Sequence, residues 1–294
     1  MRLTELLQLA AADLKQAGIE ENEIEARLLL EACLGKTRTE LFLLGEEEVA
    51  TADQTKYLKF IGRRRKREPV AYILGEQEFW SMPFFVSPSV LIPRPETEFL
   101  LDRVLALVAP ENLRDGALLD LCCGSGVIAA VLAKETGKRM VASDISPLAL
   151  EVTRANLSRH GLAWKVALVE ADLFSAFRRR RQFSLIVSNP PYVRRYDLEN
   201  NLEPEVARHE PRLALDGGER GMDFLLRIRQ EVPEFLCPGG QLFMEIGADQ
   251  GEAAHLLFTE EMKNIPGFEK VEILVDYAGR DRVLHARISN DINW

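Results

Sequence analysis

The chain has 294 residues, a formal net charge of −9 at pH 7 and a hydrophobic content of 47%. This length suits one large or two modest domains, and the composition is typical of a soluble globular protein. The acidic balance argues against non-specific coating of nucleic acid, although it leaves room for a local basic patch. No apolar run reaches the length of a membrane span, and Met1-Arg2-Leu3 opens amphipathic sequence without a signal peptide, so no membrane association is expected.

The cysteines and histidines do not have the spacing of a metal site. A zinc site of the CxxC type is absent, and a disulfide framework is improbable in a chain of this size. We therefore expect no metal and a reduced, cytoplasmic protein. The residues concerned are Cys33, Cys122, Cys123, Cys237, His160, His209, His255 and His285.

Residues 1–75 have the pattern of a small helical domain. A first apolar stripe at helical spacing ends before Gly18, and a second ends at Leu34-Gly35. Thr51 with Gln54 three residues later predicts a capping box at the start of a third helix. This domain offers few groups for chemistry, so we expect it to recognise the substrate or to cover the site.

Two basic runs occupy residues 63–67 and 178–181. A solvated helix end is the favoured interpretation of the first run, because cations are stabilised near the C-terminal end of a helix dipole. The alternative is a contact for RNA or for an acidic partner. The same two interpretations apply to the second run, and the solvated one is again favoured.

Residues 76–95 change to aromatic and β-branched sequence interrupted by proline and serine, which predicts a short hairpin linking two domains. A helix follows, with Glu96 or Thr97 expected at its N-terminus. From Ala117 onward strand and helix patterns alternate, as in a parallel α/β sheet, and residues 96–294 are expected to form one domain. Seven strands are predicted, at residues 117–121, 140–143, 166–169, 183–187, 241–246, 271–275 and 283–286.

The loops after the first four of these strands open on the same edge of the sheet, where ligands of open α/β sheets bind. We therefore expect Gly124, Gly126, Asp144, Asp172 and Asn189 to meet around one pocket. Glycines let backbone N–H groups approach a ligand, and an acid at the end of the second strand can accept both ribose hydroxyls. The dinucleotide fingerprint and the Walker lysine are both missing.

Asn189-Pro190-Pro191-Tyr192 follows the fourth strand. Two consecutive prolines stiffen the loop and remove two backbone donors, which leaves carbonyl groups free as acceptors. The amide oxygen of Asn189 and the carbonyl of Pro190 can each accept one N–H of a substrate NH2 group. Tyr192 offers an aromatic face for a flat group.

The segment Asp120-Leu121-Cys122-Cys123-Gly124-Ser125-Gly126, followed by Asp144, resembles the motif of class I S-adenosylmethionine-dependent methyltransferases. The resemblance implies that this loop holds the methionine part of S-adenosyl-L-methionine and that Asp144 binds its ribose. It also implies that Asp172 and Leu173 flank adenine. Asn-Pro-Pro-Tyr resembles the motif of those members that methylate planar amide or exocyclic amino nitrogens.

Further segments look like those of bacterial peptide chain release factor glutamine N5-methyltransferases. The resemblance covers essentially the whole chain and implies a Rossmann-like, seven-stranded class I fold with a small helical N-terminal domain. It implies methylation of the glutamine in the Gly-Gly-Gln loop of release factors, with no direct nucleic-acid substrate. The segments are residues 69–75, 79–80, 91–98, 210–212, 214–215, 217–218, 245–247 and 279–282.

The expected catalytic residues are Asn189, Pro190 and Tyr192, and Pro191 and Arg94 are expected to join them in binding the substrate. Glu210 and Arg212 could hold the substrate loop, although surface ion pairs explain them equally well. Glu245 is interpreted as a hydrogen-bonded structural carboxylate. Cys122 departs from the family pattern, which has glycine there, and any positive φ at this position would be costly.

Three other functions are compatible with these motifs. The first is an N6-adenine methyltransferase, which would have to flip a base and would normally carry a basic recognition domain. The second is a glutamine methyltransferase of a ribosomal protein. The third is a binding protein that kept the fold without turnover.

Overall fold

The computed structural model describes residues 1–108, 116–262, 265 and 267–290 of the chain. The chain divides into two units. The first consists of Met1–Glu76 together with Glu203–His209, and the second of Gln77–Leu202 together with Glu210–Trp294. The short segment Glu203–His209 is far from the N-terminus in sequence, and the sequence patterns did not assign it to the first unit.

The first unit is helical, as the sequence predicts. Leu6, Leu14, Leu29 and Leu30 form its core with Tyr57, whose hydroxyl donates to the carbonyl oxygen of Ala26 at 2.9 Å. A buried phenol with a hydrogen-bond partner keeps its apolar ring in the core without a desolvation penalty. The helices are α1 (Leu3–Gln16), α2 (Asn22–Leu34), α3 (Arg38–Leu43), α4 (Thr51–Arg64), α5 (Val70–Leu74) and α10 (Pro204–His209).

The predicted capping box at Thr51 is wrong. Ala50 caps α4, Thr51 is already its first helical residue, and Gln54 Nε2 donates to the carbonyl oxygen of Val49 at 2.7 Å. A capping box is found instead at α3, where Thr37 accepts from the Glu40 amide and donates its own N–H to the Glu40 carboxylate. Thr-x-x-Glu has the signature, but α3 is too short to show helical periodicity.

A glycine follows the end of each of the first two helices, α1 and α2. Gly35 caps α2 with φ 63°, as predicted. Gly18 was the expected cap of α1, but the cap is Ala17, one residue earlier, and Gly18 follows it with φ 75°. Glycine is favoured at such positions because it adopts positive φ without steric cost.

The first basic run is not a solvated helix end at Arg64. The side chain of Arg64 is 5% exposed and forms ion pairs with Glu25 and, at 2.7 Å, with Glu205. Arg67 binds the other oxygen of Glu205 at 2.8 Å. All of these residues belong to the first unit, so Arg64 connects its helices internally. The second run fits the solvated interpretation, with Arg178, Arg179 and Arg180 exposed.

A two-stranded hairpin follows, as the sequence predicts for the linker, with strands β1 (Glu76–Phe79) and β2 (Met82–Phe85). The second unit contains a seven-stranded sheet in the order β5-β4-β3-β6-β7-β9-β8. Its first five members pair in parallel, and β9 runs antiparallel to both β7 and β8. The strands are β3 (Ala117–Leu121), β4 (Met140–Asp144), β5 (Val166–Glu170), β6 (Phe183–Ser188), β7 (Leu236–Glu245), β8 (Lys270–Val275) and β9 (Asp281–Arg287).

Helices cover both faces of this sheet, which is why its central strands β3 and β6 are almost entirely buried. Leu118 of β3 packs in one hydrophobic cluster, whereas its neighbours Leu119 and Leu121 pack in the other. The predicted α/β class I methyltransferase fold is confirmed. The helices are α6 (Pro95–Leu107), α7 (Val127–Thr136), α8 (Pro147–Arg159), α9 (Arg195–Asn200), α11 (Asp223–Glu231) and α12 (Gly251–Thr259), with 3-10 turns at Arg212–Ala214 and Val232–Glu234.

Strand order reverses at β3, because β4 and β6 lie on its two sides. A reversal of this kind opens a crevice beyond the carboxyl ends of the strands, where ligands bind in this class of fold. The loops after β3 and β6 therefore face one another across the binding region. Among the described helices, none has the length and apolarity needed to cross a membrane.

Candidate active site

A pocket of about 370 Å³ lies at this edge of the sheet, within the size range of small-molecule sites. Loops after four parallel strands line it, together with residues 88–91, 93, 211, 213 and 214. Of the predicted site residues, those that line the pocket are Cys122, Cys123, Gly124, Ser125, Asp144, Asp172, Leu173, Asn189 and Pro191. Asp120, Gly126, Pro190, Tyr192 and Arg94 are not among the lining residues.

The loop after β3 has positive φ at Cys122 (64°), Gly124 (53°) and Gly126 (78°). A Cβ added to Gly124 would meet no atom within 4 Å, so this glycine borders open space in the pocket. A Cβ on Gly126 would lie 2.5 Å from the Thr153 side chain. Gly126 therefore permits close packing of the loop on α8, and Gly124 leaves room for a ligand.

Two side chains of α8 hold this loop from below, and neither stood out in the sequence. Thr153 donates to the carbonyl oxygen of Gly124 at 2.8 Å, and Asn156 donates to that of Ser125 at 2.9 Å. They are three residues apart and so lie on one face of the helix. Both side chains are buried. Their polarity at buried helix positions is the signal that could have revealed them.

Asp144 ends β4 beside the loop. Its carboxylate accepts from the backbone N–H groups of Gly124 and Ser146, each at 2.9 Å. Burial raises the pKa of this carboxyl, and the backbone hydrogen bonds oppose the rise. Each carboxylate oxygen retains a second lone pair, so the group can also accept ribose hydroxyls in the pocket.

Asp120 lies beneath the pocket rather than in its wall. It is fully buried, and its Oδ2 accepts from the backbone N–H of Ala129 in the first turn of α7 at 2.9 Å. Within the described residues, its Oδ1 has no hydrogen-bond partner. Burial raises the pKa of Asp120 to about 8, against the effect of the Ala129 hydrogen bond. Its position in this structure is therefore that of a support for the loop and helix.

The opposite end of the pocket is mostly apolar. Leu173 is buried, whereas Ile145 and Leu148 expose about half of their surface. Asp172 forms a 2.8 Å ion pair with Arg227 at this end. Apolar walls with a few polar groups at the rim suit a flat heterocycle such as adenine.

The Asn-Pro-Pro-Tyr loop is attached to the rest of the unit by a hydrogen-bonded chain. Asn189 Nδ2 donates to Thr97 Oγ1 at 3.1 Å, and Thr97 Oγ1 donates to Glu245 Oε2 at 2.8 Å. The hydroxyl of Tyr192 donates to Glu245 Oε1 at 3.0 Å. With its NH2 group engaged in this way, the Asn189 oxygen has no partner in the described part of the chain and can accept a hydrogen bond from a ligand.

These contacts revise two predictions and confirm a third. Thr97 does not cap α6, because Arg94 is the capping residue and the Thr97 hydroxyl joins the chain to Asn189. Tyr192 uses its hydroxyl to bind Glu245 instead of lining the pocket, and burial raises the pKa of its phenol further above the ordinary value. The interpretation of Glu245 as a hydrogen-bonded carboxylate is confirmed, and burial raises its pKa as well.

Arg94 forms an ion pair with Glu210, whose buried side chain also accepts from the backbone N–H of Ile92 at 3.3 Å. The pair thus connects residues 92–94 to residue 210 within the second unit. Arg212 forms exposed ion pairs with Glu199 and Asp216. Among the described residues, no group of three or more His, Cys, Asp or Glu side chains could hold a metal ion.

Two domain families match separate parts of the chain, and many relatives match nearly all of it. Residues 5–75 match the PrmC N-terminal domain and residues 97–222 match the Methyltransferase small domain. It is 41% identical to the release factor glutamine methyltransferase of Koribacter versatilis, over 98% of this chain and 99% of that one. The chain belongs to the release factor glutamine methyltransferase family. The Geobacter sulfurreducens member is also 41% identical, over 94% of this chain and 93% of that one.

A solved structure agrees with this family at the level of the fold. The crystal structure of a methyltransferase from Pyrococcus furiosus has a TM-score of 0.52, at 17% identity. It covers 82% of this chain, which covers all of that one. The protein is therefore a class I methyltransferase by fold and a release factor glutamine methyltransferase by family.

The pocket fits S-adenosyl-L-methionine, the cofactor of class I methyltransferases. Gly124 borders open space where a side chain would intrude, Asp144 offers carboxylate oxygens, and the far end is apolar. A ligand with an amino acid part, a ribose and an adenine requires these three environments in this order. We note that they follow β3, β4 and β5 along the chain.

Proposed function

We propose that this enzyme transfers a methyl group from S-adenosyl-L-methionine to the side-chain amide nitrogen of glutamine in the Gly-Gly-Gln motif of peptide chain release factors. One observation supports this most directly. The side-chain amide of Asn189 borders the pocket with its nitrogen bound to Thr97, so that its oxygen is available to a substrate NH2 group.

An amide nitrogen is a poor nucleophile, since its lone pair is delocalised into the carbonyl. Bound S-adenosyl-L-methionine supplies a methyl group on a positively charged sulfur, which activates it for direct transfer to nitrogen. The protein must therefore align the nitrogen and stabilise the positive charge that develops on it. Asn189 Oδ1 and the Pro190 carbonyl accept the two N–H groups. These hydrogen bonds align the nitrogen and stabilise its positive charge. The excess proton leaves to water after transfer.

The remaining assignments combine the pocket lining with the resemblance to class I methyltransferases. Residues 122–126 hold the methionine part, Asp144 the ribose, and Asp172 with Leu173 the adenine. Pro191 shapes the substrate end, and Tyr192 supports the loop from behind through Glu245. Arg94 contributes to substrate binding through the segment that it holds to Glu210.

We further propose a division of labour along the chain. Residues 1–75 form a substrate-recognition domain, residues 76–95 a linker and residues 96–294 the catalytic domain. The match of residues 5–75 to the PrmC N-terminal domain supports the first assignment. Because release factors act in translation, the enzyme would work in the cytoplasm.

The proposal is tested by offering labelled S-adenosyl-L-methionine to the purified enzyme with a release factor, DNA and RNA in parallel reactions. A release factor in which the Gly-Gly-Gln glutamine is replaced by alanine serves as the matched control. We expect label only in the unaltered release factor. Label in DNA or RNA would keep the pocket and overturn the substrate, and equal label in the alanine control would overturn the site of methylation.

A further inference from the structure

We infer that Thr97 and Glu245 are positioning residues that fix the side-chain amide of Asn189 with its oxygen toward the substrate. This inference rests on the proposed function and adds the groups that decide which nitrogen-containing substrates the site accepts. Neither residue was predicted to act on the substrate, and Glu245 does not line the pocket.

The argument begins with the two ends of a carboxamide. Its oxygen accepts hydrogen bonds and its nitrogen donates them, but the two ends have nearly the same shape. Packing alone therefore cannot hold Asn189 in one orientation. A 180° rotation would present Nδ2 to the pocket, where it would oppose a substrate NH2 group.

Thr97 resolves this ambiguity because its hydroxyl has a single proton. That proton points at Glu245 Oε2, at 2.8 Å, so Thr97 Oγ1 can only accept from Asn189. The amide must then turn its Nδ2 to Thr97, at 3.1 Å, and its Oδ1 away. A carboxylate that can only accept thus determines the direction of each bond in the chain.

Glu245 is suited to anchor this chain. It is 1% exposed, both of its oxygens are engaged, and Tyr192 occupies the oxygen that Thr97 does not use. The loop backbone is held separately, because Gln250 Nε2 donates to the carbonyl oxygen of Tyr192 at 3.0 Å. Loss of the Thr97 hydroxyl should therefore release the Asn189 side chain without releasing the loop.

The hydrogen bonds from Asn189 through Thr97 to Glu245 also predict that the site distinguishes glutamine from glutamate. Asn189 Oδ1 and the Pro190 carbonyl attract an NH2 group and repel a carboxylate of the same shape. An Asn189 amide that is free to rotate can turn Nδ2 toward a carboxylate instead. Removing the Thr97 hydroxyl should therefore weaken selection against glutamate.

The test compares Thr97→Val, which keeps the shape but lacks the hydroxyl, with Thr97→Ser, which keeps the hydroxyl. Turnover of the release factor is measured together with the Kd for S-adenosyl-L-methionine. Binding of a release factor with glutamate in place of the substrate glutamine is measured against binding of the unaltered factor.

For Thr97→Val we expect kcat to fall about tenfold, the effect of one hydrogen bond, with cofactor Kd within about twofold of wild type. The affinity for the glutamate factor relative to the glutamine factor should rise by about fivefold or more. Thr97→Ser should restore both values to within about threefold of wild type. Glu245→Gln has a donor where the carboxylate has none, so it should shift the same ratio of affinities for the glutamate and glutamine factors. This variant provides the test if Thr97→Val does not fold.

Unchanged discrimination in folded Thr97→Val or Glu245→Gln would overturn the inference, because a purely structural role could lower kcat but would not alter the choice of substrate. Equal loss in Thr97→Ser would also overturn it. A wild-type enzyme that leaves release factors unmethylated would refute the proposed function and this inference together.

Discussion

Cys122 has φ 64° at the start of the loop after β3 that lines the pocket, a conformation in which glycine is favoured. An L-residue in the left-handed region costs about 1–2 kcal/mol relative to its usual conformations. The resemblance to the family implies glycine here, and the positive φ provides a physical reason for it. Burial raises the pKa of the Cys122 thiol, so the residue is a small uncharged side chain in the wall.

We predict that Cys122→Gly retains activity and stability, because the relief of backbone strain offsets the greater chain entropy of glycine. Cys122→Val should lose about 2 kcal/mol or more of unfolding free energy, since a β-branched side chain tolerates positive φ poorly. Urea denaturation and methyl transfer on the same preparations check both. Equal tolerance of valine and glycine would contradict this account.

Because the carboxyl group of Asp120 is buried, we expect the free energy of unfolding to depend on pH. Burial raises its pKa in the folded state to about 8, so the folded protein keeps a proton that the unfolded chain releases near its ordinary value of about 4. The contribution of the protonated Asp120 to the free energy of unfolding is fully present below the ordinary pKa and is lost as pH rises through about 8.

Asp120→Asn removes this titration while an oxygen remains to accept from Ala129. Between about pH 5 and about pH 7, wild type should lose about 2–3 kcal/mol of unfolding free energy relative to this variant. Urea denaturation at both pH values measures the difference. Parallel pH profiles for the two proteins would show that Asp120 is ionised in the folded state.

At the scale of elements, Arg64 connects α4 to α2 and α10 within the first unit through Glu25 and Glu205. Breaking a buried ion pair by removing one partner costs about 3–5 kcal/mol, because a carboxylate is left buried and unpaired. Exposed pairs contribute about 0–1 kcal/mol. Arg65, with 54% of its side chain exposed and an ion pair to Asp13, is a neighbouring control.

We predict that Arg64→Ala strongly reduces hydrogen-exchange protection of the helices in the first unit, and that Arg65→Ala does not. Measurement on the full chain by hydrogen exchange and mass spectrometry reports each helix separately. Comparable loss of protection in both variants would mean that burial does not distinguish the two arginines.

The elements that the sequence predicts well are those with strong local patterns. The buried strands β3, β4 and β6 are short apolar runs that end at a polar residue or a glycine loop, so their existence and order were predictable. β7 begins at Leu236, whereas the sequence predicted a start at Gln241. The prediction missed the first residues because Pro238-Gly239-Gly240 interrupt the apolar pattern. The short helices α3 and α5 have too few turns to show a period.

The contacts of single side chains were less predictable than the elements that bear them. Thr97 and Glu245 are 148 residues apart, and Thr97 and Asn189 are 92 apart. No local pattern connects residues at such separations. Arg64 was hidden for the same reason, since its partner Glu205 lies 141 residues away in a segment that packs with the first unit.

At the scale of the whole molecule, one property of the sheet explains the position of the site. Parallel pairing of β3 and β6 places the loop of Cys122–Gly126 and the loop of Asn189 at the same edge, and the reversal of strand order at β3 opens a crevice there. That arrangement could be predicted from the alternation of strands and helices together with the general rule for such sheets. Which side chains in those loops reach the pocket, and which support it from behind, depended on packing.

The central claim is that the Asn189 loop presents one glutamine amide to the cofactor. We would test it by peptide mass spectrometry of a release factor incubated with S-adenosyl-L-methionine and either wild type or Asn189→Ala. The account predicts a single methyl group on the Gly-Gly-Gln glutamine with wild type. Asn189→Ala should transfer at least about a hundredfold more slowly while binding the cofactor with nearly unchanged Kd. A methyl group on another residue, or full transfer by Asn189→Ala, would contradict the account.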